Sequence, residues 1–256
     1  MKDVTFLDSK GNKILGTISI PKKATSVVII SHGFSASKES KFYVELQNEL
    51  NRVGIGTLRY DYYGHGKLYC KDTKYTVTRD VTLSKCVDSL KAAVAFVRSK
   101  GNYDISLVGS SFGGLISLIV ASQDPNTKAL ALKSSVTEPI GFWKQRLGDE
   151  RIKKWKQEGI LRYNECGENY ELNYSFWEDL FLQNTHEIAR KINCPVLIVH
   201  AGNDSVVPIK QSYDLAKIID TEVRVVKGAN HNYADRSQYD EMKSLITNFL
   251  IEKLSP

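Results

Sequence analysis

LVGSSFGGL, the stretch from Leu107 to Leu115, places two adjacent serines among three glycines. A serine held on a sharp strand-to-helix turn needs small neighbours two positions before it and two positions after it, because the chain passes close to itself there. Only Ser111 has that G-x-S-x-G spacing, with Gly109 before it and Gly113 after it, whereas Ser110 has no glycine at either position. The spacing predicts Ser111 as a nucleophile. The alternative is a glycine-rich turn without chemistry.

The segments on either side of this turn have the patterns that such a turn requires. DISLVG, residues 104–109, is a short apolar run typical of a buried strand. FGGLISLIVASQ, residues 112–123, is apolar and contains no proline, which favours a buried helix. The local context therefore agrees with the spacing of the glycines.

Strand and helix patterns alternate over most of the chain. Residues 4–21 predict an antiparallel hairpin that turns near Gly11. Apolar runs predict further strands at 26–31, 55–61, 104–109, 128–134, 195–202 and 222–228. Helical spacing of apolar residues predicts helices at 41–54, 83–97, 112–123, 208–219 and 238–253. This alternation predicts an α/β fold with a mostly parallel central sheet and helices on both faces.

Residues 138–190 interrupt the alternation, because they contain no convincing buried strand. A connection of that length needs structure of its own, so we interpret it as a helical cap inserted into a core formed by residues 1–137 and 191–256. The segment contains all three tryptophans, Trp143, Trp155 and Trp177. These side chains are candidates for an apolar or aromatic substrate pocket. The alternative is that they form the core of the cap itself.

A serine nucleophile needs a base, and the base needs an acidic group that orients it. His231 follows the last predicted strand and lies at a carboxyl strand end, where open α/β sheets bind ligands; His32 is the rival. Asp204 follows the strand at 195–202, and Glu138 is the rival for the acid. The order Ser111, Asp204, His231 is the one found in α/β-hydrolases. For Asp204 the alternative role is to cap a turn.

The composition excludes several classes of function. The 256 residues are 42% hydrophobic and 25% charged, as is typical of globular proteins. The net charge of +6 comes from scattered Lys and Arg residues, which predicts a solvated basic surface and no nucleic-acid partner. No apolar run is long enough for a signal peptide or a membrane span, so we expect a cytoplasmic protein. The cysteines form no C-x-x-C pair, so we expect free thiols. His32, His65 and His200 lack the spacing of metal ligands, so we expect no metal site.

The chain resembles the α/β-hydrolase superfamily over nearly its whole length, and most of all serine esterases with a helical cap. The motifs SHGF, YDYYGHG, GSSFGG, HAGNDSVVP and GANH carry this resemblance, in family order. Cinnamoyl and feruloyl esterases and monoacylglycerol-lipase-like hydrolases are similar to it. The resemblance implies an oxyanion hole formed by the backbone N–H groups of Phe34 and Phe112. It also implies that Asp61 and His65 are structural. Ser110 departs from the pattern, because these families often carry histidine there.

These observations predict a cofactor-independent serine hydrolase that cleaves carboxylic esters of small to medium apolar or aromatic acyl groups. The expected partner is a small-molecule ester, and the protein is expected to be a monomer or a homodimer. An aminopeptidase or amidase and a monoacylglycerol lipase are the alternatives on the same scaffold. A non-catalytic receptor is the alternative from another class.

Overall fold

The apolar runs of the sequence form the strands of one large sheet in a computed structural model, which describes residues 1–71, 74–165 and 168–254. The strands of the large sheet are β1 Lys2–Leu7, β2 Lys13–Ser19, β3 Ser26–Ser31, β4 Gly56–Tyr60, β5 Asp104–Ser110, β6 Thr127–Lys133, β9 Val196–Ala201 and β10 Val223–Val226, and β7 Ile160–Glu165 pairs separately with β8 Glu168–Asn173.

Helices occupy most of the connections between these strands. They are α1 Lys41–Arg52, α2 Gly66–Cys70, α3 Leu83–Arg98, α4 Phe112–Gln123, α5 Pro139–Glu158, α6 Ser175–Leu180, α7 Thr185–Ala189, α8 Lys210–Ile218 and α9 Arg236–Leu254. The short helix α2 was not predicted, and α5, α6 and α7 lie in the segment predicted as a helical cap without individual bounds.

The order of the large sheet, over the described residues, is β1-β2-β4-β3-β5-β6-β9-β10. β1 and β2 form the predicted antiparallel hairpin, and β2 also pairs antiparallel with β4. Every pairing from β4 onward to β10 is parallel. The prediction of a mostly parallel sheet is therefore confirmed.

Both faces of the sheet are covered, because the central strands are apolar on both sides. In β3, Val27 and Ile29 belong to the hydrophobic cluster that contains residues of α3 and α4. Val28 and Ile30 belong to a second cluster, which contains residues of α1 and α9. Alternate residues of one strand thus face opposite helical layers, as the pleat of a strand requires. Helices on both faces were predicted and are confirmed.

The insertion, residues 138–190, contains α5, α6 and α7, but it is not entirely helical. β7 and β8 form an antiparallel hairpin within it, which the interpretation of this segment as a helical cap did not include. Leu161 and Leu172 are buried while Arg162 is exposed, so the hairpin has one apolar face. Its strands were missed because Tyr, Asn, Arg and Glu interrupt the apolar positions and no continuous apolar run results.

The parallel arrangement brings four loops to one edge of the sheet. In the register of β3 and β5, Ser31 lies opposite Gly109, so the segments that contain Phe34 and Ser111 leave the sheet side by side. β9 and β10 also run parallel, with Ala201 opposite Val226, and the loops that follow them contain Asp204 and His231. The fold therefore collects the predicted site residues at the carboxyl ends of the strands.

Two further sequence expectations concern the membrane and the cysteines. In the described part of the chain, no helix has the length and apolar character that a bilayer crossing requires. Cys86 and Cys194 are free thiols, the Cys70 sulfur lies 3.4 Å from the carbonyl oxygen of Gly64, and Cys166 lies outside the described residues.

Candidate active site

Ser111 occupies the turn between β5 and α4 in a conformation that an L-residue rarely adopts. Its φ is 53° and its ψ is −118°. The N–H of Ser111 donates to the carbonyl of Lys133 at 2.9 Å, and its carbonyl accepts from Gly114 at 3.0 Å and from Val136 at 3.1 Å. Backbone strain of this kind costs about 1–3 kcal/mol and persists where the surroundings hold it. These three hydrogen bonds hold the turn that carries the Ser111 hydroxyl.

The glycines around Ser111 are required by close backbone contacts. A Cβ atom at Gly109 would lie 2.4 Å from the carbonyl oxygen of Gly113, and one at Gly113 would lie 2.4 Å from the carbonyl oxygen of His32. Neither contact can be relieved by rotating a side chain, because each partner atom belongs to the backbone. The glycine spacing thus reflects a steric requirement of the turn.

Asp204 and His231 form a short hydrogen bond. The distance from Nδ1 of His231 to Oδ2 of Asp204 is 2.7 Å, and the Asp204 side chain is fully buried. Oδ1 of Asp204 accepts from the amides of Val206 at 2.9 Å and Val207 at 2.8 Å. The carboxylate therefore organises its own turn and also orients the histidine. Because a carboxylate only accepts, Nδ1 carries the proton, and the neutral ring has an acceptor at Nε2.

His200 is a second histidine at this carboxylate, and the sequence analysis did not assign it to the site. Its Nε2 lies 3.4 Å from Oδ2 of Asp204 and 3.0 Å from the carbonyl oxygen of Val207. Its Nδ1 lies 2.7 Å from the hydroxyl of Ser212 in α8. His200 is a positioning residue, since it acts on Asp204 and does not line the cavity described below. The signal was present in HAGND, where the histidine stands four residues before the aspartate.

The electrostatics of the pair favour an ionised aspartate beside a neutral histidine. Burial acts to raise the pKa of Asp204, but hydrogen bonds from His200 and His231 outweigh it and hold this pKa far below its ordinary value. Burial lowers the pKa of His231 and outweighs the opposing effect of Asp204. At neutral pH the pair can accept a proton at Nε2 of His231 and stabilise the resulting charge.

The two amides expected to form an oxyanion hole belong to Phe34 and Phe112, and a Cβ at Gly33, the residue before Phe34, would lie 3.6 Å from Cβ of Ser111. Phe112 is the first residue of α4, and the first N–H groups of a helix have no partner within the helix. Phe34 follows Gly33, whose own N–H donates to the hydroxyl of Tyr43 at 3.2 Å. The rings of Phe34 and Phe112 contact each other with centroids 5.1 Å apart. This packing ties the loop after β3 to the start of α4.

A cavity of about 520 Å³ opens at this edge of the sheet, and Ser111, His231 and Phe34 line it. The insertion contributes aromatic residues to its wall, which are Phe142, Trp143, Tyr163 and Tyr170. The ring of Trp143 lies edge-on to that of Phe34, with centroids 5.9 Å apart. The cavity thus joins the turn of the candidate nucleophile to an aromatic wall.

Two of the three tryptophans predicted to bind substrate do not line this cavity. Trp155 is almost fully buried within the insertion, where its indole N–H donates to the carbonyl of Leu172 at 2.9 Å. Trp177 is buried as well and contacts Phe181, with ring centroids 5.3 Å apart. Both belong to the packed core of the insertion, which needs large side chains because the segment is short. Of the three, the structure brings only Trp143 to the cavity.

The rival residues lie elsewhere. His32 is fully buried, burial lowers its pKa to about 4, and its Nδ1 lies 2.7 Å from the carbonyl oxygen of Gly33. The carboxylate of Glu138 is exposed and accepts from the N–H of Gly141 at 2.7 Å, so it caps α5. Neither side chain lines the cavity. Among the described residues, no group of three or more His, Cys, Asp or Glu is arranged to hold a metal ion.

A family model and several known proteins are similar to this chain. A family model described as serine aminopeptidase, S33, matches residues 22–158, more than half of the chain. The palmitoyl-protein thioesterase ABHD10, mitochondrial, of Rattus norvegicus is 25% identical over 239 residues, covering 89% of this chain and 76% of the relative. A monoglyceride lipase homolog of Monkeypox virus is 23% identical over 256 residues, covering 90% of this chain and 88% of the relative.

Solved structures extend the similarity to the whole fold. Est1E from Butyrivibrio proteoclasticus with bound ferulic acid superimposes with a TM-score of 0.83 at 25% identity, covering 99% of this chain and 100% of that one. Mouse α/β-hydrolase domain-containing protein 10 superimposes with a TM-score of 0.75 at 20% identity, covering 100% of both chains. The superpositions therefore extend over nearly the whole chain.

Proposed function

Because the chain belongs to the serine aminopeptidase S33 family of α/β-hydrolases, we propose that it is a serine hydrolase of carboxylic esters. The resemblance to this superfamily, predicted from five motifs, is confirmed by the family model and by the superposition on Est1E. In this proposal, residues 1–137 and 191–256 form the catalytic core. The insertion, residues 138–190, forms a cap over it.

The proposed reaction uses Ser111 as the nucleophile. Its Oγ attacks the ester carbonyl carbon while Nε2 of His231 takes the hydroxyl proton, and Asp204 stabilises the imidazolium. The amides of Phe34 and Phe112 donate to the oxyanion of the tetrahedral intermediate. The intermediate collapses as His231 returns the proton to the leaving alcohol, and the acyl group stays on Ser111. Water, activated by the same histidine, then releases the acid.

The 2.7 Å hydrogen bond from His231 to Asp204 carries this proposal, because His231 lines the same cavity as Ser111. A histidine used only for folding has no need of a buried carboxylate on one nitrogen and a cavity beside it. The strained turn at Ser111 adds support, since backbone strain gathers at functional sites.

The aromatic wall supports the proposal that the substrates carry small to medium acyl groups that are apolar or aromatic. Phe34 and Trp143 meet edge to face, a favourable arrangement for aromatic rings, so the wall suits another flat or apolar group. Est1E, which is similar at 25% identity, holds ferulic acid, an aromatic acid. The thioesterase and lipase relatives make thioesters and monoacylglycerols the next substrates to examine, and the family description adds amides.

Steady-state hydrolysis by three proteins tests the proposal. The substrates are p-nitrophenyl butyrate, a hydroxycinnamate ester, a palmitoyl thioester and an aminoacyl amide, and the proteins are wild type, Ser111→Ala and Ser110→Ala. We expect wild type to prefer the two oxygen esters and Ser111→Ala to lose about 10⁶-fold in kcat, as nucleophile removal does in other serine hydrolases. Ser110→Ala should retain turnover.

Other outcomes would contradict the proposal in separate ways. Preference for the amide or the thioester would change the reaction while keeping the nucleophile. Equal losses in the two serine variants would remove Ser111 from its proposed role. If no substrate were turned over and a fluorophosphonate did not label Ser111, a non-catalytic binding protein would be favoured.

A further inference from the structure

The cavity at Ser111 has a second wall that differs in chemistry from the aromatic wall of the insertion. It is formed by the start of α1 and by the segment from His231 to Tyr239. Its aromatic residues, among them Phe42 and Tyr233, belong to the cluster between the sheet and the α1–α9 layer. Trp143 belongs to the cluster on the other side of the sheet, and Phe34 packs against that cluster. The two walls therefore lie on opposite sides of the nucleophile turn.

Basic side chains line this cavity and acidic ones do not. The described residues that line the cavity include Lys41, Lys133, Arg146 and Arg236, and none of them is Asp or Glu. Lys41 and Arg236 are exposed and lie near Glu45 and Asp240, at 3.9 and 2.7 Å. A concave surface with one sign of charge attracts ligands of the opposite sign.

Lys133 is the unusual member of this set, because it is only 8% exposed. Its Nζ lies 3.4 Å from Oγ of Ser110 and 3.5 Å from the carbonyl oxygen of His231. Both partners are neutral, and both distances are long for hydrogen bonds. The same nitrogen lies 4.6 Å from the centroid of the Tyr233 ring. Among the described residues, no carboxylate lies within 4.0 Å of it. Buried ammonium groups without a counter-ion are costly and rare in proteins.

We propose that the second wall binds an anionic group, a carboxylate or a phosphate monoester, carried by the leaving alcohol of the ester, with Lys133 as its counter-ion. The assignment to the leaving group follows from position. The leaving oxygen receives its proton from His231, and Lys133 contacts the backbone of that same histidine. The aromatic wall remains available for the acyl group. The inference rests on the proposed ester hydrolysis at Ser111.

A purely structural role for Lys133 would be to balance the charge of Asp204. Burial lowers the pKa of Lys133 to about 8, and attraction to Asp204 opposes that decrease. Lys133 is thus mostly protonated at pH 7. If it only balanced Asp204, its removal would slow anionic and neutral esters equally. An anion subsite predicts unequal losses, and this difference can be measured.

A matched pair of substrates isolates the charge. The butyrate esters of 4-hydroxyphenylacetate and of 4-hydroxyphenylacetamide differ only in that the first carries a carboxylate where the second carries a carboxamide. In both esters a phenyl ring and a methylene separate that group from the leaving oxygen. We expect wild type at pH 7 to show at least about a tenfold higher kcat/KM for the carboxylate, the effect of one charge-assisted hydrogen bond. The butyrate ester of 2-(4-hydroxyphenyl)ethyl phosphate tests the other anion, and the larger of the two ratios identifies the preferred group.

Variants on one strand provide the control. Lys133→Met keeps most of the length of the unbranched side chain and removes its charge, and we expect the ratio to fall to about one. Lys133→Arg should retain most of the ratio. Lys128→Met removes an exposed lysine near the other end of β6, which pairs with Asp104 at 3.3 Å, and should leave the ratio unchanged. Circular dichroism of each variant checks its fold.

A binding measurement on wild type alone keeps the inference testable if Lys133→Met does not fold. As inhibitors of p-nitrophenyl butyrate hydrolysis, 4-hydroxyphenylacetate should have at least about a tenfold lower inhibition constant than 4-hydroxyphenylacetamide.

A ratio near one in wild type would overturn the subsite and leave the esterase intact. A large ratio that survives in Lys133→Met would overturn Lys133 as the counter-ion. Absence of Ser111-dependent p-nitrophenyl butyrate hydrolysis would overturn the proposed function itself.

Discussion

The loops at the carboxyl edge of the sheet and the insertion both line the cavity, but different forces determine their structures. At this edge, the turn of the candidate nucleophile is restricted residue by residue by backbone contacts, as at Gly113 in the first turn of α4, where a Cβ would lie 2.4 Å from the carbonyl oxygen of His32. The insertion is held by the packing of large side chains, such as Trp155 and Phe176, which are almost fully buried. We therefore expect substitutions in the loops to affect catalysis most, and substitutions in the insertion to affect stability or substrate size.

Two acidic residues, one from each region, give the largest expected contrast. Asp204→Asn keeps the shape of the side chain but alters its hydrogen bond with His231, so kcat should fall by about 10⁴-fold. Glu138→Gln at the start of the insertion should change kcat little, because Glu138 caps α5 and does not line the cavity. Steady-state kinetics on p-nitrophenyl butyrate checks both variants. A heavier loss in Glu138→Gln would move the acid to the loop after β6.

Two tryptophans sharpen the contrast inside the insertion. Trp155→Ala should lower the free energy of unfolding by about 3–5 kcal/mol, because it leaves a cavity in a packed core and removes the hydrogen bond to Leu172. Denaturant unfolding measures this loss. Trp143→Ala should instead move the preferred acyl length towards longer chains, since each buried methylene contributes about 0.8 kcal/mol, roughly fourfold in kcat/KM. If both variants lost activity uniformly across an ester series, Trp143 would not shape the pocket.

Two glycines compare the regions at the level of the backbone. Gly113→Ala should destabilise the protein by about 3 kcal/mol, because the new methyl group clashes with backbone oxygen atoms that cannot rotate away. Gly148→Ala, at a kink within α5, should cost about 1–2 kcal/mol, since its φ is +71° but nothing lies within 4 Å of the added methyl. Thermal unfolding of the two variants gives the comparison. Equal losses of stability in the two variants would show that backbone contacts do not restrict the turn of the candidate nucleophile more tightly than the insertion.

The pH profile gives the smallest expected effect. In the proposed mechanism neutral His231 is the base, so kcat/KM should decrease as the pH falls through the pKa of His231. Burial lowers this pKa below its ordinary 6.5, with further lowering by the positive charge of Lys133. The inflection should therefore lie below 6.5, and Lys133→Met should shift it upward. An inflection above 6.5 in wild type would contradict the buried position of His231.

The different constraints in the two regions also explain which features could be predicted from the sequence. The buried strands and the G-x-S-x-G turn are local patterns, because both depend on neighbouring residues in the chain. The proximity of Asp204 and His231 could be predicted because parallel strands place their carboxyl ends at one edge. The hairpin of β7 and β8 was missed, since its buried face depends on packing against α5 and α6 and its polar positions conceal the pattern.

The residues whose place relative to the cavity was not predicted correctly have the same explanation. Lys133 ends the apolar run ALALK, and a charged residue at the end of a strand is usually exposed. Only the tertiary fold shows that Lys133 is buried beside the cavity. Trp155 and Trp177 have the composition of pocket residues, but their positions in the core depend on how the insertion packs. Composition identified the right segment and could not assign a role to each side chain within it.

Covalent labelling tests the central claim, that Ser111 is the nucleophile, most directly. The protein is treated with a fluorophosphonate, and its intact mass and peptide masses are recorded for wild type and for Ser111→Ala. We expect one adduct per chain on Ser111, no adduct in the variant, and a rate of labelling that falls when His231 is protonated. An unlabelled wild type, or an adduct on Ser110 or another residue that persists in Ser111→Ala, would contradict the account.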